Sequence, residues 1–230
     1  MKASSSNMEI VINFSGGKDS CVMLAFICEK YPDLKKHVVF ADTGWEHKGA
    51  EDWCREIAGR FGLALNVVRN PNKDFLSMVR NRGKFPSPKH RQCTSDLKRG
   101  PIQTWIRNNC GKVVINCMGL RASESANRSK KAKLCRNKEL TNSKRTVWDW
   151  LPIKEMSDAE VFAYLDQRGI PLHPVYSYLK RFSCRVCIYT SVDDLRKVQD
   201  NDPEAISIIS NLEREINFSI KPEGFLTEIL

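Results

Sequence analysis

The sequence predicts an α/β protein, in which helices cover both faces of a twisted parallel sheet and a helical extension follows on the C-terminal side. Two observations carry this prediction. Short β-rich runs alternate with longer helix-like segments, which is the pattern of parallel strands joined by crossover helices. A glycine-containing loop joins the first strand to the first helix. The length of 230 residues suits one such domain with an extension.

The first half of the chain carries this alternation. Residues 9–14 form a short β-rich run that ends at a glycine pair, so they are the first predicted strand. Residues 19–30 are largely apolar and predict a buried helix. Three more strands are predicted at 37–41, 65–69 and 113–118. Three more helices are predicted at 48–61, 74–82 and 95–109, with a break or a start indicated by Pro101 in the last.

The second half changes character. Residues 123–145 are polar and basic, and we expect them to be part helix and part mobile loop. Residues 147–153 hold two tryptophans and predict a late strand or an extended segment. Ser157 and Glu160 form a capping box, which predicts a helix reaching about residue 168. Serine and proline caps predict two final helices, at 191–198 and 203–216.

The charge of the chain favours an anionic partner. The net charge is +10, and the cations concentrate between residues 84 and 145 rather than at a terminus. A solvated basic surface is the alternative to a nucleotide or nucleic-acid partner. No apolar run reaches the ~18 residues that a membrane span needs, and the first seven residues lack the apolar core of a signal peptide. We therefore expect a cytoplasmic protein with no membrane partner.

The nine cysteines do not predict a disulfide framework, because the chain shows no secretion signal. Cys21, Cys28 and Cys117 lie in apolar segments and are predicted to be core residues. Cys184 and Cys187 form a C-x-x-C pair, which needs a separate explanation.

The loop Ser15-Gly16-Gly17-Lys18-Asp19-Ser20 is predicted to bind phosphate groups. Its glycines let backbone N–H groups approach phosphate oxygens, and the start of the following helix favours an anion. Lys18 adds a charge, and the two serines add hydroxyl donors. The Walker A pattern is absent, so this is a different kind of phosphate loop.

This hexapeptide resembles the pyrophosphate-binding loop of the adenine nucleotide alpha-hydrolase superfamily, the N-type ATP pyrophosphatases. Further segments resemble the phosphoadenosine phosphosulfate (PAPS) reductases of that superfamily, over about residues 9 to 190. These segments are Asp42-Thr43-Gly44 with Glu46, Arg91 to Lys98 with Pro101, Gly119 to Ser125 with Arg128, Trp150 to Ile153, and Cys184 to Cys187. The resemblance implies a Rossmann-like nucleotide-binding domain over 1–155, with the extension 156–230 packed on the same domain.

The resemblance also implies site residues. Catalytic roles fall to Lys18, Asp19, Arg121 and Arg128. The nucleotide-binding set is Ser15, Gly16, Gly17, Lys18, Asp19, Ser20, Asp42, Glu46 and Gly119. Asp19, Asp42 and Glu46 are candidates to hold Mg²⁺ on ATP, although a helix-capping role for Asp19 is an alternative. Arg121 and Arg128, seven apart, would share one face of a single helix and suit phosphate or sulfate oxygens; a solvated basic helix is the alternative.

Three cysteines occupy family positions: Cys93, Cys184 and Cys187. Thiolates in this number suit a [4Fe–4S] cluster or zinc, with Cys135 as the candidate fourth ligand. An open three-cysteine site, redox-active thiols and inert thiols are the alternatives.

Two departures from the reductases shape the functional expectation. No cysteine follows Cys187, so the C-terminal Glu-Cys-Gly motif that supplies the reductase nucleophile is not found, and Thr94 replaces the second of two adjacent cysteines. Relatives without that motif include the ATP pyrophosphatases of DNA phosphorothioation systems, which work beside a cysteine desulfurase. We expect such an enzyme, with DNA and a desulfurase as partners; the alternatives are a PAPS or adenosine phosphosulfate reductase and a non-catalytic nucleotide- or nucleic-acid-binding module.

Overall fold

A computed structural model describes residues 8–182 and 184–230. Within these residues the strands are β1 (Met8–Asn13), β2 (Lys35–Asp42), β3 (Leu65–Arg69), β4 (Val113–Met118), β5 (Leu134–Arg136) and β6 (Thr146–Trp150). They form one sheet in the order β3-β2-β1-β4-β6-β5. β1 pairs in parallel with β2 and β4, and β4 with β6, whereas β5 is antiparallel to β6. The predicted parallel α/β sheet with surrounding helices is confirmed.

The helices also follow the prediction closely. They are α1 (Lys18–Lys30), α2 (Ala50–Gly59), α3 (Phe75–Arg82), α4 (Gln92–Thr94), α5 (Gly100–Asn109), α6 (Ala126–Ser129), α7 (Asp158–Asp166), α8 (Val192–Asn201), α9 (Pro203–Ile216) and α10 (Leu226–Ile229). In the described part of the chain, no helix is both long and apolar enough to cross a membrane. The predicted serine cap at Ser191 accepts the Asp194 N–H at 3.1 Å, and Pro203 opens α9 as expected.

The basic segment 123–145 contains the helical part that the sequence predicts and also a short strand that it does not predict. It contains α6 and the short strand β5, which adds an antiparallel edge to the sheet. The prediction missed β5 because all three of its residues are exposed, so no alternation of apolar and polar residues marks it. Strand pairing with β6, rather than burial of side chains, defines this strand.

The break that Pro101 predicts takes the form of a π-turn. Helical backbone begins at α4, continues through the π-turn Ser95–Arg99 and ends in α5. Gly100 donates its N–H to the carbonyl of Ser95, five residues earlier. Pro101 has no N–H to donate, so the regular ladder cannot continue through this point. Such turns inside helices are frequent at functional sites.

The chain forms two compact units, each built from several segments. Unit 1 comprises residues up to 41, 50–68 and 102–173, and unit 2 comprises residues 42–49, 69–101 and 174–230. Valines and isoleucines of the central strands and of α5 make a core in unit 1, and α3, α8 and α9 surround the core of unit 2. Cys21 and Cys117 are buried as predicted, whereas Cys28 is half-buried. The predicted boundary at residue 155 stays a prediction.

A polar ladder crosses the sheet just before the glycine loop. The Asn13 side chain donates to Asn116 Oδ1 at 2.7 Å, and the Asn116 side chain donates to Asp149 Oδ1 at 2.7 Å. Asn137 also donates to Asp149, at 3.0 Å. These bonds explain why the otherwise apolar β4 carries Asn116: it links β1 to β6 and fixes the end of β1, from which the loop departs.

Glu213 anchors the C-terminal segment of unit 2. Its side chain is fully buried in α9 and accepts the N–H groups of Ile220 and Leu226, each at 2.8 Å. Burial raises the pKa of Glu213, although these two hydrogen bonds oppose the shift.

Replacing Glu213 by alanine is expected to lower the free energy of unfolding by about 2–6 kcal/mol, because it leaves two buried N–H groups without a partner and each costs about 1–3 kcal/mol. An acid whose folded pKa is raised loses stability as pH rises from its ordinary value of 4.5 through the raised value. Glu213→Gln cannot ionise and should remove that loss. Urea denaturation between pH 4.5 and neutrality measures both effects, with Glu215→Ala on the exposed face of α9 as control. An unchanged Glu213→Ala protein would contradict the anchoring role.

Candidate active site

The loop Ser15–Ser20 lies between β1 and α1, where the sequence predicts it. Gly16 has a φ of +78°, and a Cβ atom there would lie 2.8 Å from both Cys54 Sγ and Trp53 Cδ1. The Trp53 indole N–H donates to the Gly16 carbonyl at 2.9 Å. Because both the positive φ and the close contact exclude a side chain, only glycine fits this position.

Side chains within the loop close it and leave the first turn of α1 open. The Ser20 hydroxyl donates to the Gly17 carbonyl at 2.8 Å and accepts the Ser15 N–H at 3.3 Å. Gly17 is the N-cap of α1, and no side chain caps the helix there. Backbone N–H groups in an uncapped first turn, together with the helix dipole, form a site suited to an anion such as phosphate.

Two buried cations and two carboxylates form one network at this helix start. Lys18, which is 7% exposed, donates to Asp158 Oδ1 at 2.9 Å and lies 3.4 Å from Asp19 Oδ2. Arg121, which is 2% exposed, donates from Nε to Asp19 Oδ1 at 2.6 Å and from Nη2 to Asp158 Oδ1 at 2.7 Å. All four residues belong to unit 1, and their formal charges balance.

Arg121 is committed to the protein itself. Its Nη1 donates to the Ser123 hydroxyl at 3.1 Å and to the Met156 carbonyl at 3.2 Å, so each guanidinium nitrogen already has an acceptor. Burial lowers the pKa of Arg121, but Asp19 and Asp158 raise it by more, and the pKa lies above its ordinary value. The geometry therefore gives Arg121 a positioning task, and its predicted contact with substrate oxygens stays a prediction.

Asp158 is the member of this network that sequence reasoning missed. The sequence places it inside a capping box, which the structure confirms: the Ser157 hydroxyl accepts the Glu160 N–H at 3.2 Å, and the Glu160 carboxylate accepts the Ser157 N–H at 2.7 Å. As the first residue of α7, Asp158 then reaches Lys18, 140 positions earlier. The hydrogen bond from Lys18 lowers the pKa of Asp158. No local pattern indicates such a pair.

The predicted arginine pair is divided between two short elements. Arg121 precedes the 3-10 turn Ala122–Glu124, and Arg128 lies in α6. The shared helical face inferred from their spacing is therefore wrong, because no single helix carries both. Glu124 joins them instead: it accepts the backbone N–H of Arg121 at 2.9 Å and forms an ion pair with Arg128. A catalytic role for Arg128 stays a prediction.

Gly119 brings the end of β4 close to the start of α1. A Cβ atom at Gly119 would lie 3.3 Å from the Asp19 carbonyl oxygen and the Ser20 nitrogen. A larger residue would push these two elements apart. The structure thus gives Gly119 a packing role beside the loop, and its contact with a nucleotide stays a prediction.

The acidic residues at the end of β2 and in the turn that follows have partners within unit 2. Asp42 accepts the Gly44 N–H at 2.7 Å and pairs with Arg69 at 2.5 Å. Glu46 accepts the N–H and the hydroxyl of Thr43 at 2.9 and 2.8 Å. These bonds fix the turn after β2, and the Mg²⁺ roles predicted for Asp42 and Glu46 stay predictions.

Three of the four predicted ligand cysteines, Cys93, Cys184 and Cys187, interact electrostatically with Lys98, and all four residues belong to unit 2. Burial lowers the pKa of Lys98, but Cys184, Glu46, Cys93 and Cys187 raise it by more. Burial in turn raises the pKa of Cys93 and raises that of Cys184 to about 12. A metal would offset this cost, because the thiolate is the form that binds metal.

The C-x-x-C turn is firmly anchored. The Trp45 indole N–H donates to the Val186 carbonyl at 3.0 Å, and the Arg185 N–H donates to the Trp45 carbonyl at 3.2 Å. The Arg185 guanidinium pairs with Asp202 at 2.7 Å and with Glu204 at 2.9 Å. The turn that carries the two thiols is therefore fixed on both sides.

The distances between potential metal-ligand atoms identify a group of residues other than the three cysteines. Among residues 8–182 and 184–230, one set of three potential ligands has its donor atoms within 4.8 Å of one another: Glu9, His37 and Cys110. The three cysteines near Lys98 are not such a set. Cys135 is exposed on β5 in unit 1, and its role as the fourth ligand stays a prediction.

A run of exposed cations surrounds β5. The side chains of Lys130, Lys131, Lys133, Arg136, Lys138 and Lys144 are all exposed. None of them forms an ion pair within the described part of the chain. Arg145, by contrast, donates to the carbonyls of Gly111 and Cys110 at 3.0 and 2.6 Å. The six exposed side chains, here called the β5 cations, therefore carry charge that residues 8–182 and 184–230 do not neutralise through ion pairs.

Comparison with known sequences identifies relatives. The model of the phosphoadenosine phosphosulfate reductase domain matches residues 9–194. An uncharacterized protein of Methanocaldococcus jannaschii is 28% identical over 207 residues, which cover 90% of this chain and 42% of that protein. An uncharacterized 37.8 kDa protein of Escherichia phage 186 is 26% identical over 253 residues, with 89% and 74% covered. The chain thus spans less than half of the archaeal relative.

Solved structures with the same fold include three enzymes. The PAPS reductase of Candida auris in its phosphate complex has a TM-score of 0.51 at 16% identity, with 74% of this chain and 77% of that chain covered. The U34-tRNA thiolase NcsA of Methanococcus maripaludis with its [4Fe-4S] cluster has a TM-score of 0.53 at 14% identity, with 92% and 73% covered. The FMN adenylyltransferase of Candida glabrata with FAD and pyrophosphate has a TM-score of 0.51 at 16% identity, with 75% and 52% covered. At these identities the likeness shows the fold alone, that of the adenine nucleotide alpha-hydrolases. With the family model matching most of its length, the chain belongs to the phosphoadenosine phosphosulfate reductase domain family.

Proposed function

We propose that this chain cleaves ATP to AMP and pyrophosphate in order to adenylate an acceptor for sulfur incorporation. The observation that carries the proposal is the uncapped first turn of α1 beside the buried Lys18. This arrangement offers backbone N–H groups and one fixed positive charge to a polyphosphate. Family membership supports nucleotide and sulfur chemistry of this kind.

In the proposed reaction an acceptor oxygen attacks the α-phosphorus of ATP. A new bond forms between that oxygen and phosphorus, the bond to the bridging oxygen breaks, and pyrophosphate leaves with the electron pair. Lys18 and the N–H groups of loop Ser15–Ser20 would stabilise the charge that grows on the leaving group. Mg²⁺ is proposed to accompany the polyphosphate, with Asp19 as the ligand within the loop.

Sulfur would enter in the second step. A sulfur nucleophile displaces AMP from the adenylated acceptor, so the acceptor oxygen leaves with AMP. We place this chemistry in DNA phosphorothioation, with a cysteine desulfurase as the sulfur donor and a thiol reductant releasing the sulfur from its persulfide. The unneutralised β5 cations support a polyanionic acceptor such as DNA.

We also propose that Cys93, Cys184 and Cys187 hold an iron–sulfur cluster of the [4Fe–4S] type. The donor set fits, because three partly buried thiols lie in one electrostatic environment with Lys98, which can offset thiolate charge. When bound, the cluster would supply a site for activating sulfide.

A PAPS reductase is the second candidate, favoured by the family description and by the same three cysteines. One assay compares the two: ATP and PAPS are supplied side by side, with and without DNA, and with cysteine, a desulfurase and dithiothreitol as sulfur source. AMP and pyrophosphate from ATP, at a rate that DNA raises, would support the adenylating enzyme. Sulfite released from PAPS would contradict it and favour the reductase. Absence of every product would indicate a non-catalytic binding module.

Neutralising part of the β5 cations is expected to weaken DNA binding for all sequences alike. Replacing Lys130, Lys131 and Lys133 by glutamine removes up to three positive charges that can neutralise phosphates. The slope of log K against log salt should shrink by about 1 for each phosphate that is no longer neutralised. Fluorescence anisotropy with a labelled duplex at several salt concentrations measures this. A triple variant of ion-paired lysines, Lys35, Lys48 and Lys197, is the control. Equal slopes for both variants would remove this surface from the proposal.

A further inference from the structure

An open surface pocket of about 430 Å³ on unit 2, here called the cavity, is lined by hydrogen-bond donors. Of the seven described residues that line it, four are basic: Arg82, His90, Arg91 and Arg99. The other three carry hydroxyl or amide groups, and there is no carboxylate among these seven. It shares no residue with the loop Ser15–Ser20, so the proposed reaction leaves it unexplained. The volume falls in the range of sites for small molecules, about 300–1,000 Å³.

The positive charge of this cavity is poorly neutralised by the protein. Within residues 8–182 and 184–230, Arg82 and Arg99 form no ion pair, and the buried Nη1 of Arg82 has no hydrogen-bond partner. Arg82 ends α3, where a helix C-terminus favours one cation. The carboxylate of Asp96 interacts electrostatically with Arg82, but its ion pair is with Lys73, at 2.5 Å. Neither the C-terminus of α3 nor the Asp96 carboxylate neutralises the combined charge of the three guanidinium groups.

The basic residues lie on backbone segments that hydrogen bonds hold in place. Ser87 and His90 close a turn through reciprocal backbone hydrogen bonds of 3.3 and 3.0 Å. Arg91 follows directly: its Nη2 donates to the Thr94 hydroxyl at 3.2 Å, and its guanidinium lies 5.5 Å from the ring centre of Tyr189. Arg99 ends the π-turn described above. The backbone that carries these basic side chains is thus fixed before any ligand arrives.

We infer that this cavity binds the phosphate group of a nucleotide or nucleic acid. Guanidinium forks match the oxygens of phosphate, and several forks can share one tetrahedral anion, whereas a planar carboxylate accommodates fewer. The volume exceeds that of phosphate alone, so it leaves room for part of the ester to which the phosphate is attached. A phosphate ester would also supply the acceptors that Arg82 and Arg99 lack within the described chain.

The test measures phosphate binding to the full chain by isothermal titration, first with inorganic phosphate and then with a 5′-phosphorylated eight-residue oligothymidylate. A Lys18→Ala background removes the main charge of the loop, so the result is independent of ATP cleavage. Arg82→Gln and Arg91→Gln should each weaken phosphate binding at least tenfold. Arg80→Gln is the matched control, because Arg80 lies on the same helix but pairs with Glu215 outside the cavity. Arg82→Gln removes no hydrogen bond within residues 8–182 and 184–230, and thermal denaturation of each variant verifies folding.

The two ligands distinguish the sources of the phosphate. Loss of both phosphate and oligonucleotide binding in the arginine variants supports a site for a nucleic-acid end or backbone. Loss of phosphate binding with unchanged oligonucleotide binding supports a site for a free nucleotide. Phosphate affinity that stays within twofold in both Arg82→Gln and Arg91→Gln, or that falls equally in Arg80→Gln, overturns the inference.

Discussion

Replacing Lys18 by alanine is expected to lower ATP turnover by about 100- to 1,000-fold, or about 2.7–4 kcal/mol of transition-state stabilisation, which is the usual cost of losing one preorganised donor. Lys18 is 7% exposed and donates to Asp158 at 2.9 Å, so its charge is already positioned before a substrate binds. The loss should therefore fall on kcat, measured by pyrophosphate release under saturating ATP and Mg²⁺.

The control for this variant lies on the same helix. Lys30 ends α1 at an exposed position, and Lys30→Ala should keep full turnover. Asp158→Asn tests whether Asp158 positions Lys18, because this variant leaves Lys18 in place and removes its counter-ion. An intermediate loss in Asp158→Asn would agree with a positioning role for Asp158. Full turnover in Lys18→Ala would remove the loop from the mechanism.

Anaerobically purified protein is expected to contain iron and to show broad visible absorbance. Cys184→Ser and Cys187→Ser should each lose essentially all of both, because the ligand must be a thiolate. The firm anchoring of the C-x-x-C turn by Trp45 and Arg185 means that a serine there cannot easily be replaced by a neighbouring donor. Iron and sulfide assays on the purified variants measure the effect.

Two further cysteines calibrate the result. Cys28 is half-buried on α1 in unit 1, and Cys28→Ser should keep the iron. Cys135→Ser tests the fourth ligand directly, since loss of iron there would support it. A colourless protein with one bound zinc would preserve the ligands and make the site structural. Metal content unchanged in both Cys184→Ser and Cys187→Ser would contradict the cluster.

Local sequence was enough to predict the central strands and the caps of the helices. β1 and β4 are buried apolar runs flanked by turns, and Ser157 and Ser191 are caps whose partners lie three residues away. β5 could not be predicted, because its residues are exposed and the strand is defined by its pairing with β6. The π-turn escaped because Pro101 signals a break without specifying which hydrogen bonds replace the missing one.

The candidate site also has a part that local sequence predicts and a part that it does not. The glycine loop is readable from six consecutive residues, since its chemistry depends on backbone freedom and a helix start. Arg121 looks like a free guanidinium in the sequence, yet the folded chain surrounds it with Asp19, Asp158 and a carbonyl. Its partners are fixed by tertiary packing, because Asp19 lies 102 positions away, Asp158 37 and Met156 35, and no local pattern records them.

The charge network at α1 has a consequence for dividing the chain into fragments. Its members lie at positions 18, 19, 121 and 158, so almost the whole length of unit 1 must be present to complete it. A fragment that ends before α7 would retain Lys18 and Arg121, two nearly inaccessible cations, with Asp19 as the one remaining carboxylate of the network. Such a fragment would contain every residue of the phosphate loop and still carry an uncompensated charge at its centre.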